Sequence, residues 1–195
     1  MSYKLVGTSA SRAFRALWML EELGLTYDHI AARLGSDEAR QHNPSGKVPV
    51  LYDDAVPIPD STAILHYLAD KHGKFTFAAG TLDRARQDGL TFRLLDELDA
   101  VLWTAARHSF ILPEVHRLPE IKSSLKWEFT RNQRRFSTEL DGPFLMGAQM
   151  TVPDLILAHC LSWATNAKFP EIEPNLQRWL AAMQARPAYQ QARTK

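Results

Sequence analysis

The rhythm of apolar and polar positions changes near residue 75. Upstream, short strand-like runs are interleaved with helical spacing; downstream, nearly every segment has helical spacing. Tyr3 to Gly7 alternates as a strand does, with Tyr3, Leu5 and Gly7 on one face and Lys4 and Val6 on the other. A small polar turn, Ser9 to Ser11, leads into a helix expected from about Arg12 to Leu23. Phe14, Leu17, Trp18, Met19 and Leu20 supply its apolar faces, and Gly24 stands where a terminating glycine belongs. Tyr27 to Ala31 reads as a second strand, and Ser36 as the cap of a short helix through Arg40. After the loop Asn43-Pro44-Ser45-Gly46, Val48 to Tyr52 reads as a third strand, reversing at Asp53-Asp54 into Val56 to Ile58. Asp60-Ser61-Thr62 caps a helix through Lys71, closed by Gly73.

The resulting order, β-α-β-α-β-β-α, is that of an α/β thioredoxin-like domain. Lys74 to Gly80 reads as a linker, and Thr81 as the cap of a long helix carrying Leu94, Leu98, Val101, Leu102 and Ala105 at helical spacing. Pro113 and Pro119 bracket a break. Leu125, Phe129, Phe136 and Leu140 mark a second long helix, stopped at Asp141-Gly142-Pro143. Thr151-Val152-Pro153-Asp154 is a capping box with Asp154 reaching back to Thr151, and Met150 and Leu155 are placed as its hydrophobic staple. A last helix covers roughly residues 175 to 185. The expected organisation is an N-terminal domain over 1–75 and an all-α helical-bundle domain over 82–195.

Composition narrows the function classes. The 195 residues are 45% hydrophobic and 23% charged, an ordinary globular balance. A net charge of +1 suggests neither a nucleic-acid partner nor an anionic membrane. Apolar runs fall far short of the ~20 residues that span a bilayer, and the opening residues lack a secretion signal. One cysteine, Cys160, excludes an internal disulfide and fits a reducing, cytoplasmic setting. The seven histidines show no zinc spacing, so no metal is expected, and His159-Cys160 reads as core. The basic stretch Lys122 to Arg135 reads as a solvated face, with a partner or anion site as the lesser alternative.

Four segments, in order and spacing over nearly the whole chain, resemble the glutathione S-transferase family. They are Ser11-Arg12-Ala13-Phe14-Arg15-Ala16-Leu17-Trp18-Met19-Leu20-Glu21-Glu22-Leu23-Gly24-Leu25, Asn43-Pro44-Ser45-Gly46-Lys47-Val48-Pro49-Val50-Leu51, Asp60-Ser61-Thr62-Ala63-Ile64-Leu65-His66-Tyr67-Leu68, and Phe144-Leu145-Met146-Gly147 followed by Thr151-Val152-Pro153-Asp154. The resemblance implies a bacterial-type detoxifying transferase that joins reduced glutathione to small hydrophobic electrophiles. Glutathione is then the co-substrate, with no other cofactor, and the assembly is a homodimer.

The resemblance also implies roles for particular residues. A cis Val48-Pro49 bond turns the Val48 N–H and C=O toward the cysteinyl backbone of glutathione, in the manner of an added strand. Ser61 and the N-terminus of its helix hold the γ-glutamyl carboxylate, and Asp60 accepts from the ammonium. The same two residues also serve as a plain helix cap. Lys47 reaches the glycyl carboxylate, or is simply solvated. The thiolate needs a donor, and the turn offers hydroxyls but no cysteine, which points to a serine-type enzyme. Ser9 is the first choice. Ser11 is the second, with capping as its other role, and Thr8 stays open. Arg12 and Arg15 add positive potential, although Arg15 reads equally well as a solvated helix residue. Trp103, Arg107 and Phe110 are candidates to line the electrophile pocket, placed by the resemblance between the domains, although aromatics at helical spacing are more often core. The rival readings are a non-catalytic glutathione-binding or protein-interaction member, and a glutathione-dependent isomerase or peroxidase.

Overall fold

A computed structural model describes residues 2–195; Met1, the first residue of the expected N-terminal domain, lies outside the described residues. The chain forms two compact units, 1–78 together with 183–195, and 79–182.

In the first unit, β1 (Tyr3–Val6), α1 (Ala13–Leu23), β2 (Tyr27–Ile30), α2 (Asp37–His42), β3 (Val50–Asp53), β4 (Val56–Pro59) and α3 (Ser61–His72) follow the order read from the sequence. The sheet runs β2-β1-β3-β4, with β1 parallel to β2 and antiparallel to β3, and β3 antiparallel to β4. Alternation along the strands sends Leu5 and Leu51 to one face. The α1 side chains Leu17, Trp18 and Leu20 and the α3 side chains Ile64, Leu65 and Leu68 are buried in the core of this unit. Val6 and Val50 alternate to the other face and pack with Ala32, Ala39 and Val48. The helix ends follow their local chemistry. The Ser36 hydroxyl accepts from the Ala39 N–H at 3.1 Å, and Gly24 and Gly73 stop α1 and α3 in the left-handed conformation.

A polar network ties α3 to β3. The Lys71 ammonium and the Tyr67 hydroxyl both donate to Asp53 Oδ2. The bond from Lys71, then that from Tyr67, holds the Asp53 carboxyl below its usual range, and the same pairing raises Lys71.

The second unit begins with α4 (Leu82–Leu94), capped by the Thr81 hydroxyl accepting from the Arg84 N–H at 3.2 Å. The long helix expected there is broken by two π turns, Leu95–Asp99 and Arg107–Ile111, flanking α5 (Ala100–Ala106). In each, the bond spans five residues: Ala100 N–H donates to Leu95 C=O, and Leu112 N–H to Arg107 C=O at 3.0 Å. Apolar spacing cannot distinguish such a widened turn from an ordinary one, because Leu94, Leu98, Val101, Leu102 and Ala105 are buried either way. A short 3₁₀ turn, Glu114–His116, separates the two prolines.

α6 (Ile121–Glu139) buries Leu125, Phe129 and Phe136 as expected, whereas Leu140 ends the helix half-buried. Its arginines Arg131, Arg134 and Arg135 are exposed, as a solvated face requires, and two of them also pair: Arg134 meets Glu173 at 3.0 Å and Arg135 meets Glu97 at 2.8 Å. α7 (Val152–Asn166) opens with the capping box and staple read from the sequence, and Met150 and Leu155 are both buried.

α8 (Pro174–Gln184) is followed by α9 (Pro187–Arg193), which the apolar pattern did not reveal. α9 belongs to the first unit. Tyr189 meets Phe14 and Trp18 edge-on, with ring centroids at 4.8 and 4.9 Å, and Arg186 forms a two-pronged bond to Glu22 at 2.6 and 2.8 Å. Among the described residues no helix is long and apolar enough to cross a membrane.

Candidate functional site

Strand register gathers the site. Val6 lies opposite Val50, and Val50 opposite Pro59. The end of β1, the start of β3 and the end of β4 therefore share one edge of the sheet. The loops beyond them carry the turn at residues 8–11, the Val48-Pro49 pair and the Asp60-Ser61 start of α3. Five sequence-selected residues (Ser9, Ser11, Val48, Pro49 and Ser61) thus meet at one end of one sheet, with Asp60 and Lys47 beside them.

The Val48-Pro49 bond is cis. The sequence placed both residues inside the third strand, but β3 starts at Val50, so they form its lead-in. Pro49 lacks an N–H for a ladder, and Val48 makes no backbone hydrogen bond among the described residues. Gly7 makes this approach possible. It has φ 133°, and a Cβ there would lie 2.6 Å from the Ala13 Cβ and 3.1 Å from the Val48 Cβ.

Asp60 is the N-cap of α3 at φ 73°, a left-handed value for a non-glycine residue. Its Oδ1 accepts from Thr62 N–H at 2.8 Å and Ala63 N–H at 3.1 Å. The cap role read from the sequence is present, and it occupies two of the first free N–H groups of the helix. Ser61 is only 2% exposed. Its hydroxyl accepts from Arg15 Nη1 at 3.3 Å. An accepting hydroxyl keeps its own proton available to donate.

Arg15 itself is 0% exposed, so the solvated alternative is wrong. Its helix face turns toward α3 instead of water, a placement that packing decides and that single-residue polarity does not signal. Lys47 is exposed; its N–H donates to Ser45 Oγ at 3.3 Å, and its carbonyl accepts from Asn43 Nδ2 at 3.0 Å.

The three hydroxyls of the turn differ. Ser9 Oγ donates to the Lys195 carbonyl at 2.6 Å. Ser11 Oγ donates to the Thr8 carbonyl at 2.8 Å and accepts from Ala13 N–H at 3.2 Å, which is the capping alternative. The Thr8 side-chain oxygen makes no hydrogen bond among the described residues.

The remaining candidates lie in the second unit. Trp103 and Arg107 are half-buried one turn apart, and Phe110 is 66% exposed. Asp99, His159 and Cys160 place one ligand atom each within 4.8 Å of one another, in the buried interior that the sequence assigned to His159 and Cys160.

The family model described as "Glutathione S-transferase, N-terminal domain" matches residues 11–71. Among curated proteins, glutathione S-transferase 4 of Zea mays is 28% identical over 188 residues, covering 89% of this chain and 83% of its own. Among solved structures, a glutathione transferase from Methylococcus capsulatus has a TM-score of 0.84 at 26% identity, covering 98% of this chain and 97% of that one. A theta class glutathione S-transferase from Xanthomonas axonopodis pv. citri, solved with glutathione bound, has a TM-score of 0.79 at 25% identity, covering 99% and 97%. The thioredoxin-like sheet and the helical remainder have the fold of the glutathione transferases, and residues 11–71 match the N-terminal domain model of that family.

Proposed function

We propose that the protein is a glutathione transferase that joins reduced glutathione to small hydrophobic electrophiles. The observation that carries this reading is the meeting, at one sheet edge, of a lead-in backbone with no hydrogen bond of its own (Val48), a helix N-terminus (Asp60-Ser61) and a hydroxyl-rich turn. Val48 N–H and C=O take the cysteinyl backbone. Ser61, through its hydroxyl proton and N–H, holds the γ-glutamyl carboxylate, and Asp60 accepts from the ammonium. Lys47 takes the glycyl carboxylate. Residues 1–75 form the glutathione-binding domain, joined by the C-terminal segment 183–195 that was expected with the helical bundle, and the remaining helical segment supplies Trp103, Arg107 and Phe110 to the electrophile. No cofactor beyond the co-substrate glutathione enters this scheme. A cytoplasmic homodimer acting in detoxification completes it.

The chemistry needs a thiolate. Lowering a thiol pKa from about 8.5 by ~2 costs about 2.7 kcal/mol of preferential anion stabilisation. One hydrogen bond to a charged group supplies roughly 1.5–3 kcal/mol. The N-terminus of α1 adds about 0.3–1 kcal/mol. A single hydroxyl from the turn is therefore sufficient, drawn from Ser9, Ser11 and Thr8.

The second reading, a glutathione-binding member without turnover, is favoured by one observation: the Ser9 and Ser11 hydroxyls already donate to protein carbonyls. Alanine replacements at positions 8, 9 and 11 separate the two. Each variant is loaded with glutathione, and the ultraviolet absorbance of the bound thiolate is recorded alongside conjugation of a chlorodinitrobenzene. One replacement is expected to remove most of the thiolate signal and lower the rate together. A wild-type protein that retains glutathione on a column yet shows neither thiolate nor product would establish the second reading.

A further inference from the structure

We propose that Asp99, His159 and Cys160 bind a divalent metal ion of the zinc class inside the second unit, apart from the residues assigned to glutathione. Asp99 closes the first π turn, Leu95–Asp99. His159 and Cys160 are neighbours on α7, which packs against that turn and against α4 and α5. One ligand atom from each of the three residues lies within 4.8 Å of the other two. Cys160 Sγ donates a long bond to Asp99 Oδ2 at 4.0 Å. Asp99 and Cys160 stand 61 positions apart in sequence, so no local spacing announces the site.

The donor set points to the metal class. A thiolate with an imidazole and a carboxylate suits zinc and similar transition ions, whereas calcium and magnesium take oxygen ligands. Charge agrees. The ion enters with two positive charges, the thiol proton leaves to solvent, and the thiolate and carboxylate supply one negative charge each. With the imidazole neutral, the complex carries no net charge. That removes the cost of burying the carboxylate charge of Asp99, which is only 6% exposed.

The spacing is close to what an ion needs. Bonds of about 2.3 Å to sulfur and about 2.1 Å to oxygen span at most about 4.4 Å, and the sulfur and oxygen already lie 4.0 Å apart. Side-chain rotation of about an ångström brings the three donors to tetrahedral spacing. His159, at 9% the most exposed of the three, gives the ion an edge to enter by and a water the fourth position. The π turn is a further sign, because such widened turns are frequent at functional sites. An ion held between that turn and α7 binds the folded chain and stabilises it by mass action.

The intact protein, stripped of metal with a chelator and freed of glutathione, is titrated with cobalt(II) and with zinc. Cys160 is the only cysteine in the chain, so a thiolate-to-cobalt charge-transfer band reports this site alone. The band is expected to saturate at one cobalt per chain and to disappear when zinc displaces it. Calorimetry in two buffers of different ionisation heat should show one proton released per zinc. Zinc at about a hundred times its dissociation constant should raise the melting temperature by roughly 5–10 °C. Asp99→Asn and His159→Gln are each expected to weaken zinc by about tenfold or more. The wild-type band needs no variant to fold. Metal uptake without a thiolate band, or no uptake at all, overturns the proposal. Zinc affinity equal in wild type and Asp99→Asn overturns it as well.

Discussion

Replacement of Asp154 by alanine is expected to lower the unfolding free energy by about 3–5 kcal/mol. Asp154 is 0% exposed. One carboxylate oxygen accepts from Leu145 N–H at 2.8 Å; the other accepts from Thr151 N–H at 2.8 Å and Thr151 Oγ1 at 3.0 Å. Truncation leaves three donors inside the protein without acceptors, each worth about 1–3 kcal/mol. Burial pushes the Asp154 carboxyl up to about 6, against the opposing pull of these bonds.

Here the pH dependence has the opposite sign to that of a salt-bridged aspartate. With its folded pKa raised from 3.8, the native state binds the proton more tightly than the unfolded chain does. That contribution is full in acid and is lost as pH rises from about 4 to about 6, a difference of roughly 3 kcal/mol. Urea midpoints of Asp154→Asn should therefore be low throughout and flat across this window, whereas wild-type midpoints carry a component that declines. A variant as stable as the wild type would refute the assigned role of the capping box.

Gly7→Ala should be nearly as damaging, and it should also reach the binding site. The residue sits at φ 133°, where an L side chain costs about 1–3 kcal/mol. The new methyl would stand 2.6 Å from the Ala13 Cβ, an atom fixed to the backbone of α1 with no rotamer to yield. Overpacking of this kind costs about 1–3 kcal/mol more. Relief requires α1 or the Val48 segment to move away from β1, which displaces the groups assigned to the cysteinyl backbone. The expected result is a stability loss of about 2–6 kcal/mol and, in the folded fraction, weaker glutathione binding. Calorimetry and denaturation on the same sample separate the two effects.

Local chemistry made much of the first unit legible. Ser36, Asp60, Thr81 and the Thr151–Asp154 pair each announce a helix start through groups within three residues, and all four function as caps. Gly24 and Gly73 announce ends in the same way. Features set by distant partners were not legible. Arg15 looks solvated until α3 brings Ser61 to it. α9 is a seven-residue helix whose only strong local mark is Pro187, and Tyr189 acquires meaning through Phe14 and Trp18. The hydroxyls of the turn were visible as residue types, but their directions were not. Ser9 is turned by the Lys195 carbonyl, 186 positions away in sequence.

The central claim is that one edge of the small sheet holds the tripeptide by its backbone and end groups. Titration of the intact protein with reduced glutathione in a calorimeter addresses it most directly. The account predicts saturable heat at one tripeptide per chain, with binding weakened when Ser61 is replaced by alanine. A flat titration, from a protein whose melting temperature glutathione also leaves unmoved, contradicts it.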